Sequence, residues 1–295
     1  EARVRLAVAK LLHRLAQRDG IEALKYYKAD LLSSIERDFS RNSTLATNEN
    51  EKTATEENDK NKTVWKKPTG QHDTEGWKTL ETSFTALQEL IKGAGHQVAP
   101  HIDDFLPLVQ RSLTHQNRFV KEIGHNVLAQ LCSSIDKDTM IERAPALATS
   151  IKTGLADNWS QVRYAASTGA RALLTHPVIA GDKPNKSESN ADAKENTLRS
   201  QLLDVLLPSM CLNRYYVAEG VRNYSHQTWR LVVGRNGRRE ASSRAHLLVE
   251  CYSHAADADN HAVREAAAQC IAEMAQQLER EAVAPHVDTL VATLL

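Results

Sequence analysis

The chain is rich in side chains that can bind metals, with twelve histidines among its 295 residues. Imidazole nitrogens and carboxylates that share one helix face are common ligands of zinc and of non-haem iron. Two histidine pairs lie close together in the chain, but His96 and His101 lie around a predicted turn, and His254 and His261 flank another. We therefore expect no metal site and no bound cofactor.

The sequence also lacks the short motifs of nucleophilic and phosphate chemistry. No glycine-rich loop follows a predicted strand, no Gly-x-Ser-x-Gly elbow occurs, and no cysteine is set beside a histidine in a recognisable context. The cysteines do not have the Cys-x-x-Cys spacing of zinc and redox sites. We expect no catalytic residues, no small-molecule substrate, and reduced thiols of the intracellular kind. The cysteines are Cys132, Cys211, Cys251 and Cys270.

Residues 213–244 (NRYYVAEGVRNYSHQTWRLVVGRNGRREASSR) combine aromatic and basic side chains. This composition predicts a basic, partly aromatic surface that binds an acidic protein segment or a phosphate. The alternative is that Tyr224 and Trp229 fill the core of a helical repeat while the arginines lie on a solvated loop. The arginines nearest to each other are Arg235, Arg238 and Arg239.

Aromatic residues also recur in the predicted turns between helices. Trp159 lies in one turn, and two further turns carry an aromatic residue directly after an arginine. Tryptophan, tyrosine and arginine are enriched in the energetic hot spots of protein interfaces. The alternative is that each turn aromatic packs on its neighbour. The predicted partner-binding surface consists of Trp159, Arg118, Phe119, Arg214, Tyr215, Arg235, Arg238 and Arg239.

The elements that must position these residues share a repeated phrase. A valine is followed by small residues three and four positions later, and by larger apolar residues at eight and eleven positions. These spacings fall on one stripe of an α-helix. The small residues let a second helix approach closely, and the larger ones fill the layer between helices. The copies begin at Val4, Val120, Val162, Val221 and Val263, with a further one near Thr79.

The interval between copies indicates the architecture. Two of the intervals between successive valines are 42 residues, and the longer ones are explained by two polar insertions. A period of 40–47 residues with two helices per unit is typical of helical-repeat solenoids. The insertions, residues 40–71 and 181–197, contain too few apolar side chains to offset the entropy of ordering. We expect both to be disordered.

The stretches DNWSQVRYAA (157–166) and DNHAVREAAA (259–268) resemble the second helix of HEAT repeats, in which an Asp-containing turn leads into Val-Arg and an alanine-rich helix. The resemblance extends over nearly the whole chain outside the insertions. It implies an all-α, right-handed α-solenoid of about six helix pairs, with residues 1–295 forming a single array. The outer repeats are expected to be incomplete, as in a fragment of a longer array. First helices are expected at 101–113, 144–154, 198–212 and 241–254.

The HEAT resemblance is specific for the fold and says little about function. We expect a non-catalytic scaffold that binds a partner protein along the edge of its inter-helix turns and its concave face. One alternative is a tubulin-binding array similar to TOG domains, whose turns carry tryptophan and basic residues, as the turn at Trp159 does. The other is a metal-dependent enzyme, since some HEAT-like proteins are di-iron hydroxylases built on His-Glu dipeptides. This chain contains no His-Glu dipeptide.

An arginine follows the repeat valine in three copies, at Arg163, Arg222 and Arg264. These arginines could form a ladder that binds a ligand. They could instead form a structural ladder in which each reaches an aspartate in a nearby turn, such as Asp157 or Asp259. Arginine suits the structural role because its planar guanidinium can bond carboxylate and carbonyl oxygens together.

The overall charge is balanced, with 37 basic and 37 acidic residues. No global field therefore favours nucleic acid or an anionic membrane, and electrostatic recognition must come from local patches. No apolar run is long enough for a transmembrane helix. We expect a protein partner with an acidic segment, neither nucleic acid nor membrane as a partner, and a cytoplasmic location with the nucleus as the alternative.

Overall fold

The computed structural model describes the backbone of residues 2–55, 76–181 and 190–294, and the side chains of residues 3–40, 76–181 and 197–294. Every regular element in these ranges is helical, so the predicted all-α class is confirmed. The α-helices are α1 (Ala2–Asp19), α2 (Ile21–Thr55), α3 (Trp77–Ala94), α4 (Ile102–Leu113), α5 (Arg118–Ser134), α6 (Lys137–Leu155), α7 (Ser160–Leu174), α8 (Pro177–Ala180), α9 (Asn190–Asn213), α10 (Glu219–Val232), α11 (Gly237–Ser242), α12 (Ala245–Ala256), α13 (His261–Gln277), α14 (Arg280–Val283) and α15 (Val287–Leu294).

The starts of the helices follow the phase of the repeated phrase. Helices α3, α5, α7, α10 and α13 each begin two residues before the first position of a sequence copy. Short polar side chains help to set two of these starts. Asn117 Oδ1 accepts a hydrogen bond from the Phe119 N–H, and Asn260 Oδ1 accepts one from the Ala262 N–H. Each bond satisfies a backbone donor that has no partner within the helix.

The predicted first helices overlap α4, α6, α9 and α12. The last of them differs from the prediction, because residues 241–254 do not form one helix. The short helix α11 ends at Ser242, and α12 begins at Ala245.

The two predicted insertions lie partly within the described residues. Helix α2 continues to Thr55, so the backbone of the first part of segment 40–71 is helical, and residues 56–71 lie outside the described residues. In segment 181–197, residues 182–189 lie outside them, and α9 begins at Asn190. The predicted disorder of both insertions stays a prediction.

The chain forms two compact units, Glu1–Ser134 and Ile135–Leu295. In the first unit α3 packs between α1 and α5, while α2 packs on α1 and α3, and α4 packs on α5. The approach of α1 to α3 depends on Gly93. A Cβ atom at this position would lie 2.4 Å from the His13 carbonyl oxygen and 2.7 Å from the Ala16 Cβ atom.

Helix α1 buries a different face from the one predicted. The repeat phrase places Val4 and Val8 on the buried stripe, but their exposed fractions are 65% and 51%. Ala9 and Ala16 are buried instead. Small residues permit the closest approach of two helices, and α1 meets Gly93 of α3 through Ala16. The predicted stripe is therefore wrong for this helix.

The second unit contains three helix pairs, α6 with α7, α9 with α10, and α12 with α13. The first helices α6, α9, α12 and α15 pack successively on one another, and α7 packs on α10. The predicted stripe is buried here, as Val162, Ala166 and Leu173 show in α7 and Ala266 and Ile271 show in α13. The repeat phrase thus identifies the interior of these second-unit helices.

Candidate partner-binding surface

Arg163 is the best-satisfied arginine of the repeat phrase, with an exposed fraction of 1%. Its Nη1 donates to the Leu155 carbonyl at 2.8 Å and to Asn213 Oδ1 at 2.6 Å. Its Nε donates to the Asp157 carbonyl, and the guanidinium lies 4.3 Å from the centre of the Tyr216 ring. Burial lowers the pKa of Arg163. The side chain thus ties the end of α6 to the start of α7.

Arg222 and Arg264 repeat part of this arrangement. Arg222 Nη1 donates to the Val217 carbonyl at 3.2 Å, and Arg264 Nη1 donates to the Ala258 carbonyl at 2.7 Å and the Asp259 carbonyl at 2.9 Å. In all three copies the arginine donates to backbone carbonyls five to eight residues earlier in the chain, and Arg163 alone of the three also donates to a side chain, that of Asn213. These bonds agree with the interpretation of the arginines as a structural ladder, except in one respect. Asp157 and Asp259 accept through their backbone carbonyls rather than through their carboxylates.

Two other arginines of the second unit are hydrogen-bonded to α10. Arg199 Nη2 donates to the Val232 carbonyl at 2.6 Å, at the helix end where a carbonyl has no partner within the helix. Arg171 donates to the Tyr224 carbonyl and the Thr228 hydroxyl in the middle of α10, and its guanidinium lies 3.5 Å from the centre of the Tyr224 ring. These arginines are already engaged and are not free to bind a partner.

Arg244, at the end of residues 213–244, is also buried in the second unit. Its Nε donates to Asp204 Oδ1 at 2.6 Å, and its Nη1 donates to Glu240 Oε2 at 2.6 Å. Its Nη2 donates to Ser200 Oγ at 2.8 Å. Arg244 therefore joins α9, α11 and the start of α12.

Arg214 is the clearest correction to the predicted surface, because its exposed fraction is only 7%. Its two Nη atoms donate to the two carboxylate oxygens of Glu273 on α13. The guanidinium also lies 4.2 Å from the centre of the Trp229 ring. Burial alone would lower the pKa of Arg214, but interactions with Cys211 and Glu273 outweigh it and raise the pKa. Arg214 is therefore an interior residue, not an exposed one.

The sequence allowed Trp229 and Tyr224 to lie either on a binding surface or in the core of a helical repeat. Both residues are half-buried, which is intermediate between the two. Trp229 covers Arg214 and packs against the backbone of α11. A Cβ atom on Gly237 would lie 2.8 Å from the Trp229 ring, so glycine is required for this contact. Tyr224 makes an edge contact with Tyr164, with their ring centres 5.1 Å apart. These aromatic rings hold neighbouring helices together.

The turn aromatics chosen from the sequence are half-buried rather than exposed. Phe119 stacks on Trp77 in the first unit, with ring centres 4.8 Å apart, and the Arg118 guanidinium lies 4.8 Å from the centre of the Phe119 ring. This contact agrees with the alternative interpretation, in which a turn aromatic packs on its neighbour. In the second unit, Trp159 precedes α7, and its N–H donates to Asp157 Oδ1 at 2.9 Å.

Tyr215 lies beside His226, with their ring centres 6.3 Å apart. Partial burial, together with the nearby Glu273 carboxylate, raises the pKa of Tyr215. Burial and the positive charges of Arg214 and Arg230 lower the pKa of His226, so its ring is neutral near pH 7. The contact between Tyr215 and His226 is therefore one between two uncharged rings.

Arg235, Arg238 and Arg239 are exposed, as the sequence predicts. They lie on a turn of 3-10 helix at Gly234–Asn236 and on helix α11, not on an irregular loop. Among the described residues, no carboxylate lies within ion-pairing distance of these three side chains. We call these three residues the arginine cluster.

Of the eight predicted surface residues, Arg118 and Phe119 belong to the first unit and the other six to the second. The sequence missed three residues that organise the second-unit turns, namely Asn213, Tyr216 and Glu273. The repeat period offered a signal for two of them. Asn213 and Tyr216 occupy the turn that follows the Arg163 turn by one helix pair, where packing between repeats is expected.

Within the described residues, no group of three or more histidine, cysteine or acidic side chains is placed to hold a metal ion. No helix in that part of the chain combines the length and apolar character needed to cross a membrane. No protein-family model matches the chain, and a search of curated proteins finds no match either.

Proposed function

We propose that the chain is a HEAT-type helical-repeat scaffold, without catalytic activity of its own, that binds the acidic segment of a protein partner. Two features of the fold support a repeat array. The second helices begin in phase with the repeated phrase, and the first helices of the second unit pack successively on one another.

The observation that carries the binding proposal is the division of the second-unit arginines into two groups. Arg163, Arg214 and Arg244 are buried and bonded to other parts of the protein. The arginine cluster, Arg235 with Arg238 and Arg239, is exposed and forms no ion pair with a described carboxylate. Three such guanidinium groups close together in the chain create a local positive field, although the chain as a whole is neutral.

Arginine at such a site favours a carboxylate-rich partner, because the guanidinium donates two parallel hydrogen bonds to a carboxylate. Exposed charges of this kind mainly accelerate association and give it a salt dependence. Half-buried aromatics in the same unit, Trp159 and Tyr215, supply the apolar contact that slows dissociation.

The proposal is tested by capturing partners from native lysate with the intact chain. A variant with Arg235→Glu, Arg238→Glu and Arg239→Glu reverses the arginine cluster. A matched control with Arg3→Glu, Lys10→Glu and Arg14→Glu makes the same change in net charge on exposed positions of α1. Melting curves establish that all three proteins are folded.

We expect the parent and the α1 control to capture the same proteins, enriched in acidic segments, and the cluster variant to lose them. Capture of the same set by all three proteins would contradict the proposal. Loss from both variants alike would also contradict it, because the effect would then follow net charge rather than the cluster.

A further inference from the structure

The second unit contains a cleft of about 120 Å³ beside the arginine cluster. Its walls include the apolar side chains of Trp229, Leu248 and Met274. The Arg214 guanidinium also lines it, and Arg238 and Gln277 are the exposed polar residues at its edge. The cleft thus joins a partly apolar interior to a positively charged surface.

Arg214 forms part of the wall of this cleft. Both of its Nη atoms are bonded to Glu273, and its Nε atom is covered by protein atoms. The guanidinium is therefore fixed in the wall by its ion pair and is not a free donor for a ligand.

The net charge of the cleft favours a ligand that carries anionic groups. Arg214 and Glu273 neutralise each other within the ion pair. Arg238 then gives the cleft a net positive charge, and Arg235 and Arg239 lie within three residues of it in the chain. The two cysteines that line the cleft, Cys211 and Cys270, have pKa values raised by burial, so neither is a thiolate nucleophile near pH 7.

The size of the cleft limits what can enter. A cavity of about 150 Å³ lined by apolar side chains accepts a molecule as small as benzene. The present cleft is slightly smaller, so it accommodates one amino-acid side chain but no nucleotide or larger cofactor. Apolar side chains in the wall and a basic edge together describe a site for one residue of a peptide.

We infer that this cleft receives a single apolar side chain, of leucine or methionine size, from the acidic segment of a protein partner. Carboxylates on either side of that residue pair with Arg238 and its two neighbours in the arginine cluster. This inference rests on the proposed function and adds to it the chemistry of the bound segment.

The test uses the intact chain and three fluorescein-labelled peptides in an anisotropy titration. The first peptide carries one leucine between aspartates and glutamates, the second has glycine in place of the leucine, and the third has lysines in place of the acidic residues. Gln277→Trp places a large side chain at the edge of the cleft. Gln276→Trp is the matched control, since Gln276 is exposed on the same helix and does not line the cleft.

We expect the parent and Gln276→Trp to bind the leucine peptide about tenfold more tightly than the glycine peptide, which corresponds to burial of one side chain. Gln277→Trp should abolish that difference, and the lysine peptide should not bind. Equal affinity of the parent for the leucine and glycine peptides would overturn the inference, as would an unchanged preference in Gln277→Trp or no binding of any peptide.

The inference and the proposed function fail in different ways. Suppose that both acidic peptides bind equally and that reversal of the arginine cluster abolishes binding of both. The inference about the cleft is then wrong, while the proposed binding of an acidic partner by the arginine cluster is retained. If the capture experiment shows no dependence on the arginine cluster, the proposed function fails whatever the peptides do.

Discussion

Helices α7 and α13 begin with the same Val-Arg phrase, yet the two arginines lie in different environments. Arg163 is buried and bonded to three carbonyls and to Asn213. Arg264 is exposed and bonded to two carbonyls. The local bonds are nearly the same, so the phrase itself encodes the link from arginine to turn.

The difference comes from the helix pair that follows in the chain. Asn213 and Tyr216, from the end of α9 and the turn after it, cover Arg163 and remove it from water. Among the described residues nothing equivalent covers Arg264, since its only hydrogen bonds are to Ala258 and Asp259. A repeated phrase therefore fixes a contact, while the neighbouring repeat determines how much that contact contributes to stability.

The largest effect is expected for Arg163→Met. The substitution removes a hydrogen bond to the buried Leu155 carbonyl and two bonds to part-buried carbonyls of the following turn. It also removes the donor that pairs with the buried Asn213 Oδ1 atom. We expect the free energy of unfolding of the second unit to fall by about 3 kcal/mol or more. Urea unfolding followed by circular dichroism measures it. A loss below about 1 kcal/mol would show that water replaces these bonds at no cost.

A slightly smaller effect is expected for Glu273→Ala, which leaves Arg214 buried without its carboxylate partner. Removing one member of a buried ion pair typically destabilises a protein by about 3 kcal/mol, because the remaining charge stays desolvated. Glu265→Ala is the matched control, at an exposed position of the same helix, and should unfold like the parent in urea. Equal losses in the two variants would show that the ion pair with Arg214 does not stabilise the second unit.

Overpacking tests the interior that the phrase predicts for α7 and α13. Ala166 and Ala266 lie four and three residues after the first valine of the phrase, and both are completely buried. Leucine at either position should lower the free energy of unfolding by roughly 1–3 kcal/mol, because the close helix contact has no room for it. If both variants unfold like the parent, the assignment of the buried stripe in α7 and α13 is wrong.

Arg264→Met should have the smallest effect among the arginine substitutions. The carbonyls of Ala258 and Asp259 can bond to water when the exposed guanidinium is removed. We expect a loss below about 1 kcal/mol. A loss as large as that of Arg163→Met would show that cover by the following helix pair does not determine the contribution of the phrase.

The start of α5, where Lys121 replaces the arginine of the phrase, extends the comparison to pH. In the turn before this helix, His115 Nδ1 accepts a hydrogen bond from the Asn117 N–H at 3.0 Å, which requires a neutral ring. Burial lowers the pKa of His115 below its ordinary value of 6.5. The unfolded chain therefore takes up the proton first, and stability falls as the pH decreases below about 6.5.

Thermal melting between neutral and mildly acidic pH checks this expectation. His115→Gln should weaken the decline in melting temperature relative to the parent, because it removes one group that the folded state keeps neutral. An identical pH dependence in parent and variant would show that His115 does not contribute to it.

The sequence predicts the helical class and the phase of the second helices because both depend on local spacing. Val162 and Ala166 recur at positions that must face one side of a helix, and that side is buried. The same spacing failed in α1, where Ala16 packs against Gly93 of α3, since the pattern alone does not identify the face that meets a neighbour.

The candidate surface was predicted less completely. The exposure of Arg235, Arg238 and Arg239 follows from a run of charged residues with little apolar sequence between them. The burial of Arg214 does not, because its partner Glu273 lies 59 residues further along the chain. A long-range ion pair leaves no local pattern, so an interior arginine and a surface arginine look alike in the sequence.

The central claim is that buried arginines hold the second unit together while the arginine cluster binds a partner. It is tested most directly by measuring melting temperature and partner capture on the same preparations of two variants. Arg163→Met should melt well below the parent, yet still capture partners at a temperature where it is folded. The triple variant of Arg235, Arg238 and Arg239 to glutamate should melt like the parent and capture none. The claim would be contradicted if the triple variant retained full capture, or if it lost capture only because it had unfolded.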